Sequence, residues 1–99
     1  MRISLGRMLP AMLLCAATSA AAAPARCPAG SVPELVLGAE VALARSEWPQ
    51  AALQLACAAE RSADRALAER ATRAAFEYQQ PGTAVIGARR WLTLDPDSE

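Results

Sequence analysis

The cysteines are the residues of this chain whose type and spacing point most directly to chemistry. The sequence contains Cys15, Cys27 and Cys57, and no two of them form a Cys-x-x-Cys pair. Thiol oxidoreductases and zinc sites use closely spaced cysteines, so the spacing argues against both. For a chain bound for an oxidising compartment, Cys27 and Cys57 predict a disulfide. Two free thiols or an intermolecular bridge are the alternatives, because spacing alone does not fix connectivity.

The other ionisable residues predict no catalytic centre. Histidine, the commonest general base and metal ligand, is absent. Acids such as Glu40 and Glu47 could meet on folding, but acids at helical spacing are by default a solvated face. Ten arginines balance ten acids, which gives no electrostatic reason to expect nucleic acid as a partner. We therefore expect no enzyme activity, no cofactor and no metal site.

Residues 1–25 have the three parts of a secretory signal peptide. Arg2 and Arg7 precede an apolar run over residues 8–17, and small residues follow as far as Ala25. A membrane-spanning helix needs about 20 apolar residues, and this apolar run is shorter. Two small-residue cleavage sites compete, Ala20-Ala21-Ala22 and Ala23-Pro24-Ala25, and we favour cleavage after Ala25. We expect no integral membrane segment thereafter, and a periplasmic or secreted protein. A retained N-terminal anchor is the alternative.

Alanine at 25 positions and only four aromatic residues predict an all-helical core built from small side chains. After a lead-in at residues 26–31, the first predicted hairpin spans residues 32–64. Its first helix runs from Val32 to Arg45 and has a capping box of Ser31 and Glu34. Its second helix runs from about Pro49 to Arg61, with an apolar stripe of Ala51, Ala52, Leu55, Ala58 and Ala59. The opposite stripe is Gln50, Gln54, Cys57 and Arg61, which predicts polar surroundings for Cys57.

The second predicted hairpin spans residues 65–96 and leaves a tail at 97–99. Its first helix, from about Asp64 to Gln79, has an apolar stripe of Leu67, Ala68, Ala71, Ala74, Ala75 and Tyr78. The opposite face carries a predicted charge ladder of Arg65, Glu69, Arg73 and Glu77. The last helix is expected from about Thr83 to Leu94, with Ala84, Ala88, Trp91 and Leu92 on its apolar side.

The two hairpins align with each other at the shift that places Ala51 on Ala84, and we call this correspondence the internal repeat. A family likeness rests on three groups of residues: Ser46-Glu47-Trp48 in the turn, the small residues Ala39, Ala51, Ala58 and Ala84, and the ending Trp91-Leu92-Thr93-Leu94-Asp95-Pro96. In these features the chain, from Val32 to Pro96, resembles the tetratricopeptide repeat, a family of helix-turn-helix units. The first unit lacks the closing proline of the family, and an alanine-rich hairpin pair of another kind is the alternative.

The resemblance implies two antiparallel hairpins stacked as a short, right-handed α-solenoid whose first helices line a groove for a peptide or protein segment. The implied groove residues are Val36, Glu40, Leu43, Glu69, Arg73, Phe76 and Glu77. This surface is mixed acidic and apolar. Because Val36 and Glu40 occupy two positions where the family's carboxylate clamps carry basic or amide residues, we do not expect the groove to clamp a C-terminal carboxylate. An ordinary solvated helix face is the other interpretation of these charges.

Two repeats are fewer than the three or more that normally bury a continuous core. The chain is then either the leading part of a longer repeat protein or a module stabilised by its disulfide or by a homodimer through the end helix with Trp91 and Leu92. The absence of lysine suggests a GC-rich bacterial genome. The sequence thus predicts an exported, non-catalytic interaction scaffold. The alternative is a small secreted, disulfide-stabilised helical protein, or a fragment, without groove function.

Overall fold

Residues 26–97 are described by the computed structural model, and within that range the chain is all-helical, as the sequence predicts. The helices are α1 (Val32–Ala44), α2 (Trp48–Glu60), α3 (Arg65–Glu77) and α4 (Pro81–Leu94). The predicted signal peptide and the last two residues of the predicted tail lie outside the described residues. None of the four described helices has both the length and the apolar character needed to cross a membrane.

The internal repeat is present in the backbone geometry. The turns after α1 and α3 both pass through a left-handed residue, Ser46 with φ 59° and Gln79 with φ 57°. In the first turn the amide of Glu47 donates to the carbonyl of Ala42 at 2.8 Å, and Gln80 donates to Ala75 at the same distance in the second. This bonding pattern satisfies carbonyls that a helix end leaves free. The same turn closes both hairpins, although its residues differ in type.

Side chains fix the starts of α1 and α3 at equivalent positions of the internal repeat. The predicted capping box is present, since the Glu34 amide donates to the Ser31 hydroxyl and the Ser31 amide donates to the Glu34 carboxylate. The bond from the Ser31 amide, with a second from the Ser31 side chain, lowers the pKa of Glu34 below its ordinary range. Asp64 caps α3 by accepting from the Ala66 amide at 2.9 Å.

The core forms around α2, which packs against each of the other three helices. Its alanine face lies in the cleft between α3 and α4. The buried residues there are Ala52, Leu55, Ala56 and Ala59 of α2, with Ala68, Ala71 and Ala75 of α3 and Ala84 of α4. Small side chains let the helix axes approach closely. Larger, half-buried side chains pack around this alanine cluster, namely Leu67, Ile86, Trp91 and Leu94.

Each hairpin has a glycine at the contact between its two helices. In the first hairpin the glycine lies on the first helix, and in the second hairpin it lies on the second helix. Gly38 of α1 faces the Gln54 side chain of α2, whereas Gly87 of α4 faces Thr72 of α3. A Cβ added to Gly87 would lie 2.7 Å from the Thr72 hydroxyl oxygen and 3.1 Å from its backbone nitrogen. The hydroxyl itself is held, because it donates to the carbonyl of Ala68 at 2.8 Å.

A disulfide joins Cys27 to Cys57 across 30 positions of sequence and fastens the lead-in to α2. The predicted polar surroundings of Cys57 are wrong: this residue is fully buried and packs with Leu35 and Ala58. The periodicity of α2 alone does not include the lead-in, which folds back over this side of the helix. Arg61 also holds the lead-in by donating to the carbonyls of Pro28 and Gly30.

In the second hairpin, hydrogen bonds take the place of the disulfide in holding the segment that precedes the first helix. Arg90 is the counterpart of Cys57 in the internal repeat, and its guanidinium donates twice to the carbonyl of Ser62, at 3.0 and 2.7 Å. Both residues therefore bind the segment that precedes the first helix of their own hairpin.

Three expectations for the second hairpin need correction. The left-handed Gln79 ends α3 at Glu77, and α4 begins at Pro81 because proline suits a first helical turn. The charge ladder is only partly formed, since Arg73 pairs with Glu69 at 3.0 Å but Arg65 pairs with Asp95 of the chain end. Leu92, expected on the apolar side of the last helix, is 55% exposed.

Replacing Gly87 tests the close crossing of α3 and α4. We expect Gly87→Ala to destabilise the protein by about 1–3 kcal/mol, since its methyl group meets fixed backbone and a bonded hydroxyl. Gly82→Ala is the matched control, because a Cβ there meets nothing within 4 Å and the helix gains up to about 1 kcal/mol from the better helix former. Urea unfolding followed by circular dichroism measures both. Equal stabilities for the two variants would contradict the packing described.

Removing the disulfide tests the anchoring of the lead-in. A cross-link that closes a loop of this length contributes about 3.5 kcal/mol in the chain-entropy treatment, so reduction should lower the free energy of unfolding by about that amount. The double variant Cys27→Ala, Cys57→Ala should match the reduced protein and should not respond to reductant. A loss of less than about 1 kcal/mol would show that the lead-in contributes little to folding.

Candidate binding groove

An open groove of about 460 Å³ separates α1 from α3. It exists because both helices pack on α2 but not closely on each other. The residues that line it are Leu43 of α1, Leu55 of α2, Ala66, Glu69, Arg70, Arg73, Ala74 and Glu77 of α3, and Tyr78 after it. We call this surface the α1–α3 groove.

The α1–α3 groove brings together four of the seven residues expected from the repeat resemblance. These are Leu43, Glu69, Arg73 and Glu77. Of the other three, Glu40 lies at the edge of the groove, where its carboxylate pairs with Arg70.

Val36 and Phe76 do not line the groove. Val36 is half-buried and packs against the cluster of Leu35, Cys57 and Ala58, which lies toward the disulfide. Phe76 is 68% exposed and is not among the residues that line the groove. Their positions follow from the rotation of α1 and α3 about their own axes, which the resemblance does not specify.

The groove has an apolar strip flanked by charges. Leu43 and Leu55 come from two different helices, and Ala74 completes the strip from the third. Leu55 is itself almost fully buried, so it forms the floor, whereas Leu43 is half-buried and forms part of the wall. An apolar side chain entering here would remove both its own surface and that of Leu43 from water.

Both arginines at the groove are already engaged by carboxylates. Arg70 pairs with Glu40, which links α3 to α1, and Arg73 pairs with Glu69 at 3.0 Å. The Arg73 guanidinium carbon also lies 5.7 Å from the centroid of the Trp91 ring, within the range of a cation–π contact. Neither arginine is therefore a free site for an anionic group.

Glu77 carries the remaining charge of the groove. It is exposed and forms no ion pair within residues 26–97. Glu40, Glu69 and Glu77 thus outnumber Arg70 and Arg73 by one, which leaves the groove acidic in balance.

One end of the groove is closed by an aromatic pair. Tyr78 follows α3, and its ring stacks on that of Trp48 at the start of α2, with centroids 5.0 Å apart and an angle of 22° between the planes. The pair joins the two hairpins at their turns and gives this end of the groove a rigid wall.

Arg70 and Tyr78 line the groove but were not expected there. Arg70 lies three residues before Arg73 and four before Ala74, so helical spacing alone places it on the same face. Tyr78 was predicted in the apolar stripe of its helix, and it does pack against the buried cluster of Ala52, Ala75 and Ala84. It also lines the groove, which the prediction did not include.

No family model matches the chain, and no curated protein or solved structure matches it. The likeness to the tetratricopeptide repeat therefore stays an expectation based on the turn and ending motifs. The internal repeat, the helix bounds and the groove stand on the geometry alone.

Proposed function

We propose that this protein is a non-catalytic interaction module, similar in kind to tetratricopeptide scaffolds, that binds a short peptide segment in the α1–α3 groove. The observation that carries the proposal is an apolar strip lying beside a carboxylate, Glu77, that has no internal partner among residues 26–97. A groove of about 460 Å³ is of the size that buries small ligands or a few side chains.

The charges of the α1–α3 groove favour one class of peptide segment over another. Each arginine at the groove is neutralised by an acid, so an acidic segment would have to break an existing pair. A basic residue of the partner could instead pair with Glu77 while a neighbouring apolar side chain occupies the strip formed by Leu43 and Leu55. We therefore propose a segment that has an aliphatic or aromatic residue beside a lysine or arginine.

The proposed location is the periplasm or the exterior of a bacterial cell. The signal-like pattern of residues 1–25 supports it, as does a cysteine pair at disulfide geometry, since disulfides persist in oxidising compartments. In the cytosol the same pair would be kept reduced, and the lead-in would lose its anchor on α2.

Selection of random heptapeptides displayed on phage against the oxidised protein tests this function. Recovered peptides should be enriched in an apolar residue next to lysine or arginine. Selection against the Glu77→Lys variant should remove the basic preference, because the carboxylate of the groove that has no ion-pair partner among residues 26–97 becomes a cation. For synthetic peptides chosen from the first selection, Glu77→Lys should weaken binding at least about tenfold in fluorescence anisotropy.

Asp97→Lys is the matched control, because it makes the same charge change at an exposed residue outside the groove. Its peptide preference and affinities should equal those of the wild type. If no peptide is enriched, or if Glu77→Lys and Asp97→Lys behave alike, the groove does not bind as proposed. The protein would then fit the alternative of a disulfide-stabilised helical protein without groove function.

A further inference from the structure

The outer surface of α4 exposes apolar side chains at positions that are interior in the first hairpin. Val85 is 47% exposed and Leu92 is 55% exposed. Their counterparts in the internal repeat are Ala52 and Ala59, which are fully buried where α2 enters the cleft of the second hairpin. Between them Arg89 is the counterpart of the buried Ala56. We call Val85, Arg89 and Leu92 the tail ridge.

The opposite end of the molecule has the complementary feature. A groove of about 520 Å³ opens between α1 and α2, lined in part by Glu34, Gly38, Val41 and Ala42 of α1 and by Gln50 and Gln54 of α2. We call it the head groove.

The head groove is the counterpart of the cleft that α2 fills. The residues equivalent to Gly38, Ala42, Gln50 and Gln54 in the second hairpin are Ala71, Ala75, Thr83 and Gly87, and all four are buried there. In the first hairpin no residue of 26–97 fills the equivalent space. Within the described residues, the repeat thus leaves one unfilled cleft at one end and one unburied helix face at the other.

We propose that a second copy of this chain fills the head groove with its tail ridge, so that copies stack head to tail and continue the internal repeat across the junction. This proposal is independent of peptide binding, since none of the three tail-ridge residues and none of the six head-groove residues named above lines the α1–α3 groove. A second copy is favoured over an unrelated partner because the two surfaces are related by the register of the internal interface.

The charges beside this junction are consistent with it. Arg89 replaces Ala56, and Gly38 stands in place of Ala71, which shares the buried cluster of Ala56. The place of a Cβ at Gly38 is taken by the Gln54 side chain, so Arg89 would lie over Gln54. Glu34 lies one turn from Gly38 on the wall of the head groove, in reach of an arginine at this position. The amide oxygen of Gln54, which has no hydrogen-bond donor within residues 26–97, lies against the same glycine.

Sedimentation velocity tests the proposal. The protein is expressed from Met1, so that the predicted signal peptide is present, and is purified in the oxidised form. Intact mass checks the purified chain. The wild type should associate as its concentration rises from micromolar to near-millimolar, and the association should extend beyond dimers because a head-to-tail contact does not close on itself. Leu92→Asp and Val41→Asp should each weaken self-association at least about tenfold, since each would bury an unpaired carboxylate. Ala63→Asp, at an exposed position on neither surface, should leave it unchanged.

A mixture of the two single variants distinguishes the geometry of the contact. Leu92→Asp keeps an intact head groove and Val41→Asp keeps an intact tail ridge, so the mixture should form a 1:1 dimer that neither variant forms alone. Circular dichroism of each variant checks that it is folded. A wild type that stays monomeric throughout would overturn the proposal. So would a Val41→Asp variant that still dimerises by itself, because that result would mean that tail ridges pair with each other.

Discussion

The contact on which the rest of this structure depends is the insertion of α2 into the cleft between α3 and α4. This contact buries a face of alanines against alanines, with Leu55 as its large fully buried side chain and half-buried residues such as Ile86 and Trp91 packed around it. Each alanine contributes little transfer free energy, so stability depends on how closely the backbones approach and on how little space is left over. Such a core is consistent with a glycine at the crossing of α3 and α4, where a Cβ would crowd Thr72, and with a disulfide in a chain of this size.

The surfaces of the molecule follow from the same contact. Because α2 takes the central position, α1 and α3 do not pack closely on each other, and the α1–α3 groove opens between them. The Glu40–Arg70 pair crosses its edge. The cleft that α2 fills has a counterpart in the first hairpin that no residue of 26–97 fills, and the face that α2 buries has a counterpart on α4 that is exposed within the same range. The peptide groove and the head-to-tail stacking that we propose are thus two outcomes of one repeated packing unit.

Helical periodicity was sufficient to predict the four helices, the apolar stripes of α2 and α3, the capping box and the register of the internal repeat. It failed where two separate segments had to be placed together. Cys57 was expected among polar neighbours because the lead-in that covers it belongs to no periodic pattern. Val36 and Phe76 were expected in the groove from the repeat resemblance. They lie elsewhere because the resemblance does not define how far each helix is rotated about its own axis. Leu92 was expected on an apolar side, but none of the four described helices covers it.

Native-state amide hydrogen exchange of the oxidised protein tests the central role of α2 most directly. If α2 holds both hairpins together, the amides of Leu55 to Ala59 should exchange only on global unfolding, and the core amides of α3 and α4 should show the same free energy of opening. The agreement should persist as denaturant is added below the unfolding transition. Protection of α3 and α4 that outlasts exchange of α2 would contradict the account, since it would show that the second hairpin is stable without the helix in its cleft.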